Sequence, residues 1–548
     1  MDMFNTVEQM QGLIAVAKGK KEGDILIRNV RILDVFTEQV FQGEILISDG
    51  KIASITSQPH HRAREYFDAG GMIAMPGFMD CHFHLDFPLV TPAQLSHAIV
   101  PHGTTSMLCE ILDYAALNGL EATKDFVRDT DRLPYRCFWA APGKVAPKFI
   151  AEAVLDWENC IALGEMAQGL TEVGTPDELH KIELSRRKGK VISGHVVKRQ
   201  PEELDVYAIL GYDDEHNTDT YEETVARMRF GMSKIIRING AYDAAKSIIT
   251  GAIRDHIPTD QMLFAVDDVY IHELFRSGHI DKVIQRCIDL GLPPIKAIKI
   301  ATINAARHFR LDHILGSVTP GRYADLVLVE ELDQIKPKVV FQNGRKVAEN
   351  GRLIVPVDID YSDLRSQSVP GLEKLREESL LFTPEEQSTH RFTITNGQPL
   401  SVEPYTVPQS GFYCRGEEDE LPFYRIARYP SFGERRIDKK VLRGTGIRGG
   451  ALALSFEQGG SAISVTGDNL EDILLAAHDV DQYPGCISVA AAGQITARFP
   501  LMLGGSISEL DAFSAADSFE ALEQAVRALG CRLEGAIMRL YFLPFWFH

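Results

Sequence analysis

Three consecutive pieces decide how this chain folds: CIALGEM (Cys160–Met166), PDELHKIELSRRKG (Pro176–Gly189) and KVISGHV (Lys190–Val196). Two short apolar runs enclose a polar stretch of helical character, the rhythm of a strand, a crossover helix and a second strand beside the first. The same alternation runs from about Met75 to Leu315, and roughly 240 residues of it match the size of a (β/α)8 barrel. On either side the texture changes. GDILIRNVRILDVFTEQVFQGEILISDGKIASITS, from Gly23, and GSVTPGRYADLVLVEELDQIKPKVVFQNGRKVAENGRLI, Gly316 to Ile354, alternate apolar and polar residues between Gly and Asp-Gly turns, as short antiparallel strands do.

The expected class is therefore α/β: a TIM-like barrel over residues 75–315, with an N-terminal segment and small β-sandwich contributed by 1–74 and 316–358. An acidic, Pro-containing connector over 359–391 leads to an α+β domain over 392–548, where strand-like GALALSF and SAISVTG mix with helical NLEDILLAAHDV and SFEALEQAVRALG. A chain of 548 residues exceeds what one core supports, so several domains are expected on size alone.

In PGFMDCHFHLD, Pro76 to Asp86, His82 and His84 are two apart on a strand and can aim both imidazoles at one point. Other strand-like runs end in suitable donors: IALGEM at Glu165, VISGHV at His195, ILGYDDEHNTD at His216, and MLFAVDD at Asp267 and Asp268. Barrel active sites collect at the C-terminal ends of strands, and imidazole with carboxylate is the donor set of a hydrolytic Zn2+, Mn2+ or Fe2+ site. Each residue alone has a plainer reading, as a loop acid or a packed histidine. Their succession along the strands favours a metal centre.

The remaining features narrow the function. A net charge of −19 repels phosphate backbones, which argues against a nucleic-acid partner and for a small-molecule substrate. No apolar run approaches the length of a membrane span, and the N-terminal residues have no basic stretch preceding an apolar one as a secretory signal does. Eight cysteines without a CxxC pair read as unpaired thiols of a reducing, cytoplasmic compartment. GIRGGALALSFEQGG lacks the Lys and Ser/Thr of a phosphate loop.

The order HxH, Glu, His, His, Asp resembles the metal-dependent amidohydrolase superfamily, and in detail the microbial adenine deaminases. The likeness is carried by PGFMDCHFHLD, TPAQLSHAIVPHGTT, LGEM, GHV, MRFGM, FAVDD, SGHID, ATINAARHF and GSVTPGRYADLVLV, and later by LRGTGIRGGALALSF, ISVTGDNLEDILLAA, ITARFPLMLGG and LGCRLEGAIMRLYFL. It implies that His82 and His84 bind one metal ion, that Glu165 bridges two, and that His195 and His216 hold the second, with Asp267 over a bridging water. Two divalent ions (Mn2+, Fe2+ or Zn2+) would lower the pKa of that water to give a hydroxide nucleophile. Asp267 would then act as general base and general acid, releasing ammonia from adenine or a related amino-substituted heterocycle. A homodimer or larger homo-oligomer is expected as well. Two alternatives stay open: hydrolysis of a cyclic amide or other C–N bond, and a family member without turnover.

Several positions depart from the family pattern. Where HxHIES is usual this chain reads HFHLDF, so Asp86 replaces a glutamate. The DPHE segment is replaced by Cys109, Glu110, Ile111 and Leu112, with Glu110 or Asp113 as the acids nearby, and HDSHN by QGGSA, Gln458 to Ala462. Asp86, Glu110, Asp268 and His272 are the substrate-side candidates, although His272 reads more readily as an exposed loop residue. Lys198 and Arg237 are candidates for an anionic substituent, and His102 and His279 read as structural.

Overall fold

Eight strands form one parallel sheet in chain order: Phe78–His84, Thr104–Glu110, Arg136–Pro142, Cys160–Gln168, Val191–Val196, Asp214–Glu215, Ser233–Arg237 and Met262–Ala265. Helices such as Pro176–Arg187 and Ala245–Arg254 link successive strands. Strands of a parallel sheet are covered on both faces, and all seven residues of Phe78–His84 are buried, the polar Asp80, His82 and His84 included. The crossover in the opening stretch starts where Thr175 accepts the backbone N–H of Glu178 and Pro176 takes the first turn; it ends on Arg186 and Arg187, whose charges suit the helix C-terminus. The computed structural model describes residues 4–143, 148–168, 174–196, 203–239, 243–365, 375–396, 400–414, 419–427, 436–458, 462–482 and 485–546.

Sequence on both sides of the barrel joins in a single nine-stranded sheet, where the small β-sandwich was expected. Ile73–Pro76 pairs antiparallel with Leu326–Val329 and parallel with Gly23–Asp34. Its core includes Ile27, Ile45, Ile47, Leu326 and Phe341. The helix Val7–Ala17 buries Leu13 and Val16 against Leu26, Leu46, Ala53 and Ala63.

The chain divides into two compact units. One comprises residues 1–88, 92–110 and 129–359, and the other 89–91, 111–128 and 360–548. The helix Leu112–Val127, within the span expected for the barrel, thus belongs to the second unit. The stretch expected to be a connector is partly core: Leu375, Leu380 and Phe382 are buried, and the strand Ser388–Thr393 pairs with Ile437–Arg443. Its apolar side chains can be buried only by packing, which a solvated linker does not provide. The second unit is an eight-stranded mixed sheet with the helices Leu470–Gln482 and Ala512–Ala528. Among the described residues, no helix is long and apolar enough to cross a membrane.

Candidate metal centre and active site

Two of the donor-bearing strands depart from regular pairing where their donors sit. Asp80 pairs with Met107 and Phe83 with Cys109, so Cys81 and His82 together oppose Leu108. Met79 and Cys81 join the apolar barrel core, while His82 and His84, on the alternate positions, approach the other donors. In the fourth strand Ile192 pairs with Leu163 and Gly194 with Met166, leaving Gly164 and Glu165 opposite Ser193. Such bulges re-aim side chains beside active sites.

Among the described residues, two groups of three donors are close enough to hold an ion: His82, His84 and Asp267, and His82, Glu165 and His216. His82 belongs to both. Its Nε2 lies 3.4 Å from Asp267 Oδ1, and His84 Nε2 lies 3.5 Å from the same oxygen. Glu165 Oε2 lies 3.0 Å from His216 Nε2 and 2.5 Å from His195 Nδ1. The rings of His82 and His216 stack at 4.0 Å. His195, expected beside His216 as a ligand, lies against Glu165, and the second group comprises His82, Glu165 and His216.

The donor set fits divalent cations. Both ring nitrogens of His82 and Nδ1 of His216 are buried without a hydrogen bond, and nitrogen with carboxylate oxygen suits Zn2+, Mn2+ or Fe2+. Burial, helped by the charge of His82, pushes the His216 imidazolium far below its usual pKa, leaving the neutral ring a ligand requires. Burial also acts against protonated His82, but the Asp267 and Glu110 carboxylates outweigh it and raise the pKa to about 9. For Asp267, burial favours the neutral acid, yet contact with His82 and the Arg237 guanidinium holds the carboxyl well below its ordinary range. Asp268 is raised to about 6 by burial and by neighbouring Asp267.

Arg237 corrects one expectation. Read as a contact for an anionic substituent, it instead donates to Asp267 Oδ2 at 2.7 Å and is 5% exposed. Nothing in the local sequence around Arg237 signals this partner, 30 residues away. His272 is also corrected: it is buried in the helix Ile271–Ser277, where its ring stacks on Tyr270.

The other substrate-side candidates are buried too. Asp86 and Glu110 are 4% and 1% exposed, and Glu110 Oε1 lies 3.8 Å from His82 Nδ1 with neither carboxylate oxygen hydrogen-bonded. Asp268 Oδ1 is 3.9 Å from His84 Nε2. Lys198, the Asp113 side chain and Gly459 to Ser461 lie outside the described residues.

A parallel barrel with imidazole and carboxylate donors at its strand ends is the frame of a metal-dependent hydrolase, and the match of residues 73–350 to the amidohydrolase family makes it one that acts on C–N bonds. Residues 400–547 match the adenine deaminase C-terminal domain. The chain is 32% identical to an adenine deaminase of Desulforamulus reducens, across 99% of this chain and 95% of that one. It is 26% identical to one of Kosmotoga olearia, across 97% and 94%. The chain belongs to the adenine deaminase family of amidohydrolases.

Proposed function

We propose that this protein hydrolytically removes the amino group of adenine or a related amino-substituted heterocycle, releasing ammonia. The observation that carries the reading is the convergence of His82, His84 and Asp267 with Glu165 and His216 in two overlapping, buried donor groups, the imidazole and carboxylate types that hydrolytic divalent-metal sites use. Divalent cations held there would supply Lewis-acid activation of a water for attack at neutral pH. His82, His84, Asp267, Glu165 and His216 would hold such ions, with His195 steadying Glu165.

Asp267 takes the nucleophile's proton and returns it to the departing amine. Arg237 occupies its Oδ2 and leaves Oδ1 facing both histidines. Glu110, buried beside His82, or Asp86 exchanges a proton with a ring nitrogen. Cys109, Ile111 and Leu112 remove polar groups from the family's DPHE positions, and lost polar partners alter substrate discrimination by large factors. A relative of adenine is therefore included in the reading.

The test measures metal content and then ammonia release and ring opening on adenine, other aminopurines, pterins, hydantoins and lactams. Ammonia release from an aminoheterocycle is expected. Ring opening without ammonia identifies a cyclic amidase, and fully metal-loaded protein inert on the whole panel refutes the enzymatic reading.

A further inference from the structure

The donors His82 and His84 and the donor Asp267 stand on opposite sides of a seam. Each barrel strand pairs with the next, but the sheet order ends at Phe78–His84 and at Met262–Ala265 without a ladder between them. One donor group nonetheless takes two members from the first of these strands and one from just beyond the second. A missing ladder leaves its width free to vary, while ligand geometry tolerates only a few tenths of an ångström.

A side chain bridges the seam instead. Asp80 is fully buried; its Oδ1 accepts the backbone N–H of His82 at 3.0 Å and its Oδ2 accepts that of Val266 at 3.2 Å. One carboxylate thus joins the backbone at a donor in the first strand to the backbone next to a donor after the eighth. Alongside it, the Asp267 N–H donates to the His82 carbonyl at 3.2 Å. Asp267 has a φ of 66°, a left-handed conformation that costs a non-glycine residue free energy and persists where the surroundings impose it.

Beside Asp80 runs a line of buried polar side chains. His279 Nε2 lies 3.2 Å from Asp80 Oδ2, a charge contact outside hydrogen-bond geometry, and His279 Nδ1 is hydrogen-bonded to Thr104 Oγ1 at 2.7 Å. The His279 N–H donates to Asp281 Oδ1, whose second oxygen meets His102 Nδ1 at 2.9 Å. His279 is 1% exposed and Asp281 2% exposed. So many polar groups in one buried line cost free energy unless their mutual geometry is kept.

We infer that Asp80, oriented by His279, is a positioning residue that closes the seam between the first and eighth strands and thereby sets the distance between the histidine pair and Asp267. The inference rests on the metal site of the proposed function. The parent protein, Asp80→Asn and His279→Gln are compared in three measurements: thermal unfolding of chelator-stripped protein, Mn2+ affinity by competition with a chelating dye, and the visible absorption spectrum of Co2+-loaded protein. An asparagine turns a donor toward one of the two N–H groups, so Asp80→Asn weakens Mn2+ binding at least about tenfold and shifts the Co2+ bands. His279→Gln does the same to a smaller extent.

If both variants keep the parent's Mn2+ affinity and Co2+ spectrum while the stripped protein melts lower, Asp80 is structural only and the inference is overturned. Should Asp80→Asn fail to fold, His279→Gln and Thr104→Val decide the matter, and parental metal affinity in both overturns it. A parent protein that binds no Mn2+ or Co2+ refutes the metal-site reading itself, a result visible without any variant.

Discussion

Replacing Lys234 with methionine tests whether the barrel depends on a buried charge pair next to the metal site. Lys234 Nζ lies 3.0 Å from Glu215 Oε1, both side chains are essentially inaccessible, and the nearest further cation is Arg227 at 3.9 Å from Oε2. At that separation and an effective permittivity near 20, the attraction is about 5 kcal/mol. Methionine fills similar volume but leaves Glu215 with only the more distant Arg227 as a counter-charge, and breaking a buried pair in this way typically costs about 3 to 5 kcal/mol.

Glu215 also accepts the backbone N–H groups of Asn217 and Thr218 and the Thr218 hydroxyl. The loop carrying His216 is thereby tied to the same carboxylate. Equilibrium urea unfolding of metal-free protein measures the loss through tryptophan fluorescence, since Trp139 and Trp157, two of the three tryptophans, are packed together in the barrel unit. In the parent, burial opposes the charged form, but Lys234 and Arg227 outweigh it and hold Glu215 down to about 2. Without Lys234 the folded pKa rises. The defect is then full above that raised value and fades as pH falls to the ordinary carboxylate range, where Glu215 is protonated in both states. A loss under about 1 kcal/mol at neutral pH, or one that grows as the pH is lowered, refutes the reasoning.

His82→Ala removes a donor from both groups and is expected to drop bound metal below one equivalent by elemental analysis, whereas His84→Ala leaves His82, Glu165 and His216 and keeps one. Asp267→Asn is expected to lower kcat on a turned-over substrate by at least about 100-fold with little change in the far-ultraviolet circular dichroism. Stripping metal with a chelator is expected to lower the melting temperature of the barrel unit by several degrees, restored by Mn2+; a ligand at 100 times its Kd stabilises by about 2.7 kcal/mol. In the second unit, Glu420 is fully buried, and although burial opposes its ionisation, Tyr413, Arg391 and Tyr405 lower its pKa. Its stabilisation is therefore complete above the unfolded value near 4.3 and lost as pH falls through the folded one. Glu420→Gln is expected to flatten that acid limb in thermal scans between pH 5 and 3.

The barrel, the flanking sheet and the donor residues were legible in the sequence because they depend on local properties. The βα rhythm comes from periodicity within a few residues, and histidines and carboxylates at strand ends are recognisable by type and position. Only the tertiary structure decided how those donors group. Bulges at Cys81–His82 and Gly164–Glu165 shift the pairing register beside the donors, and they exist only against a partner strand. His82 lies within reach of both Asp267 and the pair Glu165 and His216, Arg237 is spent on Asp267, and Asp80 reaches a backbone amide 186 residues away. Charge pairing and ladder register are set by neighbours that only folding brings together, so no stretch read alone contains them.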